Sequence, residues 1–369
     1  MAINCGIVGL PNVGKSTIFS ALTAAPAEAA NYPFCTINPN VGIVDLPDSR
    51  LDFLSQKFQT KRQVPATVEF VDIAGLVKGA SKGEGLGNQF LAHIREVGVI
   101  AHVVRCFENS DIIHVNNRID PVDDIETINM ELAFADLDTV NKRIEKAQRN
   151  ARVMGKEEQK KAAAVLSALN KVKPLLENGQ AARTADLSDD EKAALYDCHL
   201  ITMKPMMYVC NVDEEGIQSG SPHVDSVRKI AEAQGSDVVV ICGKFEADLA
   251  EMDSAEERAE FLAEIGLQES GLATLARAAY HLMGLRTFFT AGPDECRAWT
   301  IRVGDTAPKA AGVIHTDFER GFIKAEVYCY DDLVQYGSEA EIKAAGKYRM
   351  EGKEYVVQDG DVIFFKFNV

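Results

Sequence analysis

The sequence has no apolar run long enough to span a bilayer, and no basic leader stands ahead of its first apolar stretch, which Lys15 interrupts. A signal peptide and a membrane anchor are therefore not expected, and a cytoplasmic protein without a membrane partner is implied. The eight cysteines are scattered with no C-x-x-C pair, so neither a zinc site nor a disulfide framework is expected, and a reducing compartment fits. Positive charge is scarce. With 39 Lys and Arg against 55 Asp and Glu, the net charge of −16 excludes a protein that coats nucleic acid with its whole surface, and sequence-specific DNA binding is not expected; a local basic face remains open. The composition is that of an ordinary globular chain, and 369 residues allow two or three domains.

What is present begins at Gly9 to Ser16, which reads Gly-Leu-Pro-Asn-Val-Gly-Lys-Ser. A strand-like stretch, Ile3 to Val8, precedes it and a helix-compatible one, Ser16 to Leu22, follows, the context that makes a P-loop specific. The backbone N–H groups of Asn12, Val13, Gly14, Lys15 and Ser16, with Thr17 beside them, are expected to meet the β- and γ-phosphates at a helix N-terminus. Lys15 adds a positive charge there, and the Ser16 hydroxyl is a ligand for Mg²⁺. About twenty residues on, Thr36 sits where a first switch loop would complete the Mg²⁺ shell in the presence of a γ-phosphate. The apolar strand Thr67 to Val71 then runs into Asp72-Ile-Ala-Gly75, a D-x-x-G box at a strand end. Asp72 is expected to hold the metal through water, and the Gly75 N–H to touch the γ-phosphate. The glycine-rich run after it reads as a pliable second switch.

The P-loop, the Tyr32-Pro-Phe-Cys-Thr-Ile37 segment and the run from Asp72 to Asn88 together resemble the YchF branch of the Obg-like ATPases, and the likeness extends over residues 1–369. It implies an α/β P-loop NTPase of the G-domain type with a mostly parallel sheet, an inserted antiparallel helical hairpin and a C-terminal β-grasp (TGS) domain. The expected divisions are a nucleotide domain at 1–124 and 204–284, a coiled-coil insertion at 125–203 and the TGS domain at 285–369. The activity implied is a slow, Mg²⁺-dependent ATPase that works as a ribosome-associated switch. A GTPase of the Obg class and a regulatory scaffold with a merely gating nucleotide site are the alternatives; a small-molecule kinase is disfavoured because no Arg-bearing lid is evident.

Leu76 stands where related enzymes place the glutamine that orients the attacking water, so intrinsic hydrolysis should be slow. The resemblance places His114 near the second switch as a candidate catalytic group, and Asn12 as a contact for a stimulating K⁺. At the end of strand Met206 to Cys210, Asn211-Val-Asp-Glu214 replaces the guanine-reading N-K-x-D box: Val212 lacks the lysine stem and Glu214 carries one methylene too many. The resemblance implies adenine, with Asn211 and Val212 near the base and Phe107 stacking on it.

Between these halves, Leu137, Val140, Ile144, Ala147 and Ala151, then Ala162, Val165, Leu169, Val172 and Leu176, step at helical spacing, with Gly155 in a turn between them. Pro174 and the polar stretch from Asn178 are expected to lead out of the hairpin. Ten cations and three anions lie between residues 142 and 173, a local basic face for which ribosomal RNA is the expected partner. The TGS module is implied as a second contact. His315 and Asp317 within it read as structural.

Overall fold

A computed structural model describes residues 4–24, 40–73, 86–112, 114, 118–153, 156–252 and 254–368; the side chains of 86–89, 150–153, 156–158, 161 and 255 are not described. Thr36 and Gly75, with Cys35 and Leu76, therefore lie outside the described residues. The chain divides into two compact units, Met1–Ile43 with Glu69–Ala279 and Val44–Val68 with Tyr280–Val369.

The first sheet contains β1 (Asn4–Val8), β2 (Val41–Leu46), β4 (Ala66–Asp72), β5 (Val99–Arg105), β6 (Met206–Asn211) and β7 (Asp237–Ile241), in the order β2-β4-β1-β5-β6-β7; β3 (Gln63–Val64) belongs to the second sheet. β1 pairs in parallel with β4 and β5, β5 with β6, and β6 with β7. Every residue of β5 and β6 is buried, the pattern of a parallel strand covered on both faces, and it explains their near-continuous apolar sequence. Parallel alignment brings the carboxyl ends of β1, β5, β6 and β7 to one edge, where such sheets bind ligands. Helix Lys15–Ala24 buries Ile18, Phe19, Ala21 and Leu22, one helical stripe.

The insertion is built on helices Pro121–Val153 and Lys156–Glu177. Val140, Leu169, Val172 and Leu176 are fully buried between them, with Leu137, Ile144 and Val165 against the same cluster, so the apolar stepping does form the hairpin's seam. The first helix starts at Pro121, ahead of the periodic stretch, because proline suits a first helical position and Asp123 and Asp124 suit its first turn. Its early turns bury Ile125, Ile128 and Leu132. Asp136, fully buried, accepts bonds from the Ile201 and Thr202 N–H groups and from the Thr202 hydroxyl, at 2.9, 2.7 and 2.6 Å, tying the return segment to this helix. Pro174 does not end the second helix, which runs on to Glu177; this close to the C-terminus, proline's missing N–H costs one bond only.

In the second unit, β8 (Leu285–Thr290) and β9 (Cys296–Arg302) form an antiparallel pair, β10 (Phe322–Cys329) pairs antiparallel with β11 (Arg349–Glu351) and β12 (Asp361–Phe367), and β12 lies parallel to β8. The order β11-β10-β12-β8-β9-β3 is that of a β-grasp, with an extra edge strand. Helix Ala307–Ile314 packs on one face over Phe288, Ile301, Val327 and Phe365. The extra strand comes from far upstream: Gln63 pairs with Cys296 and Val64 with Arg297. Helix Ser49–Phe58 belongs here too, with Arg50 ion-paired to Asp359 at 2.6 Å and Phe53 edge-on to Tyr330. His315 caps the short helix Thr316–Arg320 by accepting from the Asp317 N–H, a structural role. Among the described residues, no helix is long and apolar enough to cross a membrane.

Candidate functional site

The loop after β1 turns on two left-handed residues, Asn12 (φ 63°) and Gly14 (φ 92°). A Cβ at Gly14 would lie 2.0 Å from Asn211 Nδ2, so that position demands glycine both for its backbone angle and for space. The Ile18 N–H makes the helix's first bond, to Gly14 O at 3.1 Å. The N–H groups of Lys15, Ser16 and Thr17 thus precede it, without acceptors inside the helix, as an anion site requires. Ser16 and Thr17 are exposed at this helix start. The Lys15 ammonium contacts the carboxylate of Asp72 at the end of β4, and both side chains are largely buried. The two groups expected at the phosphates and the metal stand side by side.

A cavity of about 910 Å³ opens over this loop. Its walls come from the segments that follow β1, β5, β6 and β7: the P-loop, Phe107 to Asn109, Asn211 to Glu215, and Cys242 to Lys244. Asn211, 4% exposed, commits both ends of its amide to backbone. Nδ2 donates to Val13 O at 2.9 Å, and Oδ1 accepts from the Gly243 N–H at 3.0 Å. Asn211 thus fastens the P-loop to the loop after β7. Val212 is buried. Asp213 caps helix Glu214–Ser219 by accepting from the Gly216 N–H at 2.8 Å. Glu214 pairs with Lys244 at 3.0 Å, both well exposed, and the pairing raises the Lys244 pKa. No side chain of this box is left in the fork that guanine recognition needs.

His114 is 4% exposed, and its Nε2 lies 2.9 Å from Asp124 Oδ2 in the first turn of the insertion's first helix. Burial raises the Asp124 pKa, and His114 opposes that rise. Asp124 carried no signal of its own in the sequence; its meeting with His114 is set by tertiary packing. Lys244 likewise carried no local signal, since its partner lies thirty residues back.

The basic face of the hairpin is narrower than its composition. Lys142 pairs with Asp138, Arg149 with Glu145, Lys171 with Glu191 and Lys173 with Glu177, and Arg143 is half-buried beside Cys198. Asp138, Glu177 and Glu191 fall outside the window 142–173, so a count within it overstates the surplus. Lys146 and Lys160 are exposed; the side chains of Arg152, Lys156 and Lys161 lie outside those described.

A strand–loop–helix phosphate cradle, a carboxylate at the neighbouring strand end and a cavity roomy enough for a nucleotide at the carboxyl edge define a P-loop nucleotide-binding domain with a helical insertion. Residues 4–171 match the family described as 50S ribosome-binding GTPase, and residues 285–368 match YchF-GTPase_C, described as a protein of unknown function (DUF933). The chain is 57% identical to the Ribosome-binding ATPase YchF of Escherichia coli O157:H7, 56% to that of Pasteurella multocida and 52% to that of Bacillus subtilis, each over the full length of both proteins. The solved structure of the Schizosaccharomyces pombe YchF GTPase superposes with a TM-score of 0.89 at 39% identity, covering 99% of this chain and 97% of that one. The chain belongs to the YchF family.

Proposed function

We propose that this protein is a Mg²⁺-dependent ATPase that acts on the ribosome as a nucleotide-gated switch in the cytoplasm. The observation that carries the choice of ATP is the state of the residues from Asn211 to Glu214. Asn211 is consumed as a strap, Val212 is buried, Asp213 is a helix cap and Glu214 faces a lysine. A site that reads guanine through two bonds to a carboxylate discriminates by roughly 10⁴ to 10⁵, and this arrangement forfeits that discrimination. The names of the bacterial relatives, ribosome-binding ATPases, support the same reading.

The donor set fits a hard divalent cation, since the Ser16 hydroxyl is exposed at the start of helix Lys15–Ala24 and the Asp72 carboxylate stands at the adjacent strand end. Ser16 and Thr36 would hold Mg²⁺ directly and Asp72 through water; the ion would offset phosphate charge. Lys15, Gly75 and the P-loop N–H groups bind the phosphates, Phe107 and Val212 flank the adenine, and Asn12 supports a K⁺ beside the phosphates. Leu76 leaves hydrolysis slow until His114 or a ribosomal group orients the water. The hairpin's free cations and the C-terminal β-grasp, read as a TGS module, contact ribosomal RNA.

Calorimetric titration of the full chain with MgATP and MgGTP tests the reading. ATP is expected to bind at least as tightly as GTP, and a hundredfold preference for GTP would overturn it. Equal hydrolysis rates in K⁺ and Na⁺ would remove the potassium role alone.

A further inference from the structure

Arg105, the last residue of β5, stands behind the loop that forms one wall of the cavity. It is 1% exposed and does not itself line the cavity, yet its guanidinium is spent on the loop that does. Nε donates to Phe107 O at 3.2 Å, Nη2 to Asn109 O at 3.0 Å and Nη1 to Ile112 O at 3.0 Å. Its central carbon also lies 4.5 Å from the centroid of the Phe107 ring. Phe107, Asn109 and Ile112 are all cavity-lining.

A buried cation is expensive to desolvate, and most are matched by a carboxylate in direct contact. Here the guanidinium donates to three carbonyl oxygens spread over six residues of loop. Burial lowers the Arg105 pKa, and the field of Asp124 offsets part of that. The planar fork reaches three separate backbone positions from three nitrogens in one fixed geometry, whereas lysine offers its donors from a single nitrogen. A cation attracted to one face of an aromatic ring also holds the plane of that ring.

We propose that Arg105 is a positioning residue for the nucleotide base: it folds the loop after β5 and backs Phe107, so that the ring meets the purine pre-oriented. The assignment rests on the reading that the cavity holds a nucleoside triphosphate. It goes further in naming what builds the base wall, and it separates affinity for the base from affinity for the phosphates.

The test uses the full-length protein, titrated calorimetrically with MgATP and with magnesium tripolyphosphate, a ligand that has the phosphates and no base. Arg105→Met, Arg105→Lys and Phe107→Ala are each expected to weaken ATP about tenfold or more, the effect of losing one stacked base. Tripolyphosphate affinity should stay within about twofold of the parent, because the P-loop is untouched. Arg105→Met combined with Phe107→Ala should be no weaker than Phe107→Ala alone, since the arginine acts through the ring. Parallel losses for both ligands would show a merely structural arginine and overturn the proposal, as would full ATP affinity in Arg105→Lys or Arg105→Met. A parent protein that binds tripolyphosphate and not ATP would instead refute the nucleotide reading itself.

Discussion

Asn211 donates from Nδ2 to the carbonyl oxygen of Val13 across 2.9 Å, joining the end of β6 to the middle of the P-loop. Its Oδ1 holds the Gly243 N–H, so one carboxamide sets the spacing of three loops. Asn211→Ala should leave a buried N–H and a carbonyl without partners, at a cost of about 1–3 kcal/mol for each. Phosphate and base binding should therefore fall together, by at least about tenfold, in titrations with both ATP and tripolyphosphate. Unchanged affinity for both ligands would mean that the strap has no bearing on the cradle.

His114 and Asp124 form the second pair to probe. His114→Ala is expected to lower the rate of ATP hydrolysis by about a hundredfold, at the low end for a positioned acid–base group, with ATP affinity within about twofold. Asp124→Asn should keep the histidine in place and shift the pH dependence of the rate. If His114→Ala hydrolyses ATP at the parental rate, the histidine serves only as packing at the root of the helix.

Glu246 gives a prediction about pH and stability. It is 2% exposed, and burial outweighs its bonds from the Gly271 and Leu272 N–H groups, lifting its pKa from 4.5 to about 7. Between those values the folded chain holds a proton that the unfolded chain has released. This contribution to stability is fully present below pH 4.5 and is lost as pH rises to about 7. The full swing is on the order of 3 kcal/mol. Glu246→Gln should flatten the fall in melting temperature over that window, measured by calorimetry; an identical slope in the variant would refute the assignment.

Charge reversal on the hairpin tests the ribosomal contact. Arg143, Lys146, Arg149 and Lys160 changed to Glu should abolish co-sedimentation with ribosomes while ATP affinity stays intact. In the parent, binding should weaken with salt, and each lost phosphate contact should reduce the log–log slope by just under one, roughly 0.7 to 0.9. Arg143 is the weakest member of this set, because it is half-buried beside Cys198. Persistent co-sedimentation at the same salt would move the contact to the C-terminal unit.

The P-loop, Asp72 and the hairpin's seam were legible in the sequence because each is written at short range, as a loop of fixed spacing, a strand end or a helical period. Asn211 was legible as a departure from a known box, but not as a strap, since Val13 lies 198 residues away. Arg105 was hidden for the opposite reason: its partners are close in sequence, yet a charged residue ending an apolar strand gives no sign that it turns inward. The ion pairs of Lys142, Lys171 and Lys173 show how a window of composition misleads when the compensating acids sit just beyond its limits. The union of Gln63–Val64 with β9 has no local signature at all, because strand partners so far apart are chosen by the fold.

The helix Pro121–Val153 is one continuous element 33 residues long, or about 50 Å. Asp124, at its foot, touches the histidine proposed to serve hydrolysis, while its far end carries part of the basic face. A rod of that length turns angle into distance: a tilt of about five degrees at the foot sweeps the tip through about 4 Å, given its rise per residue. That is more than the length of a hydrogen bond. A change too small to disturb the nucleotide domain's core would thus suffice to make or break the proposed phosphate contact at the other end, if the helix moves as a unit.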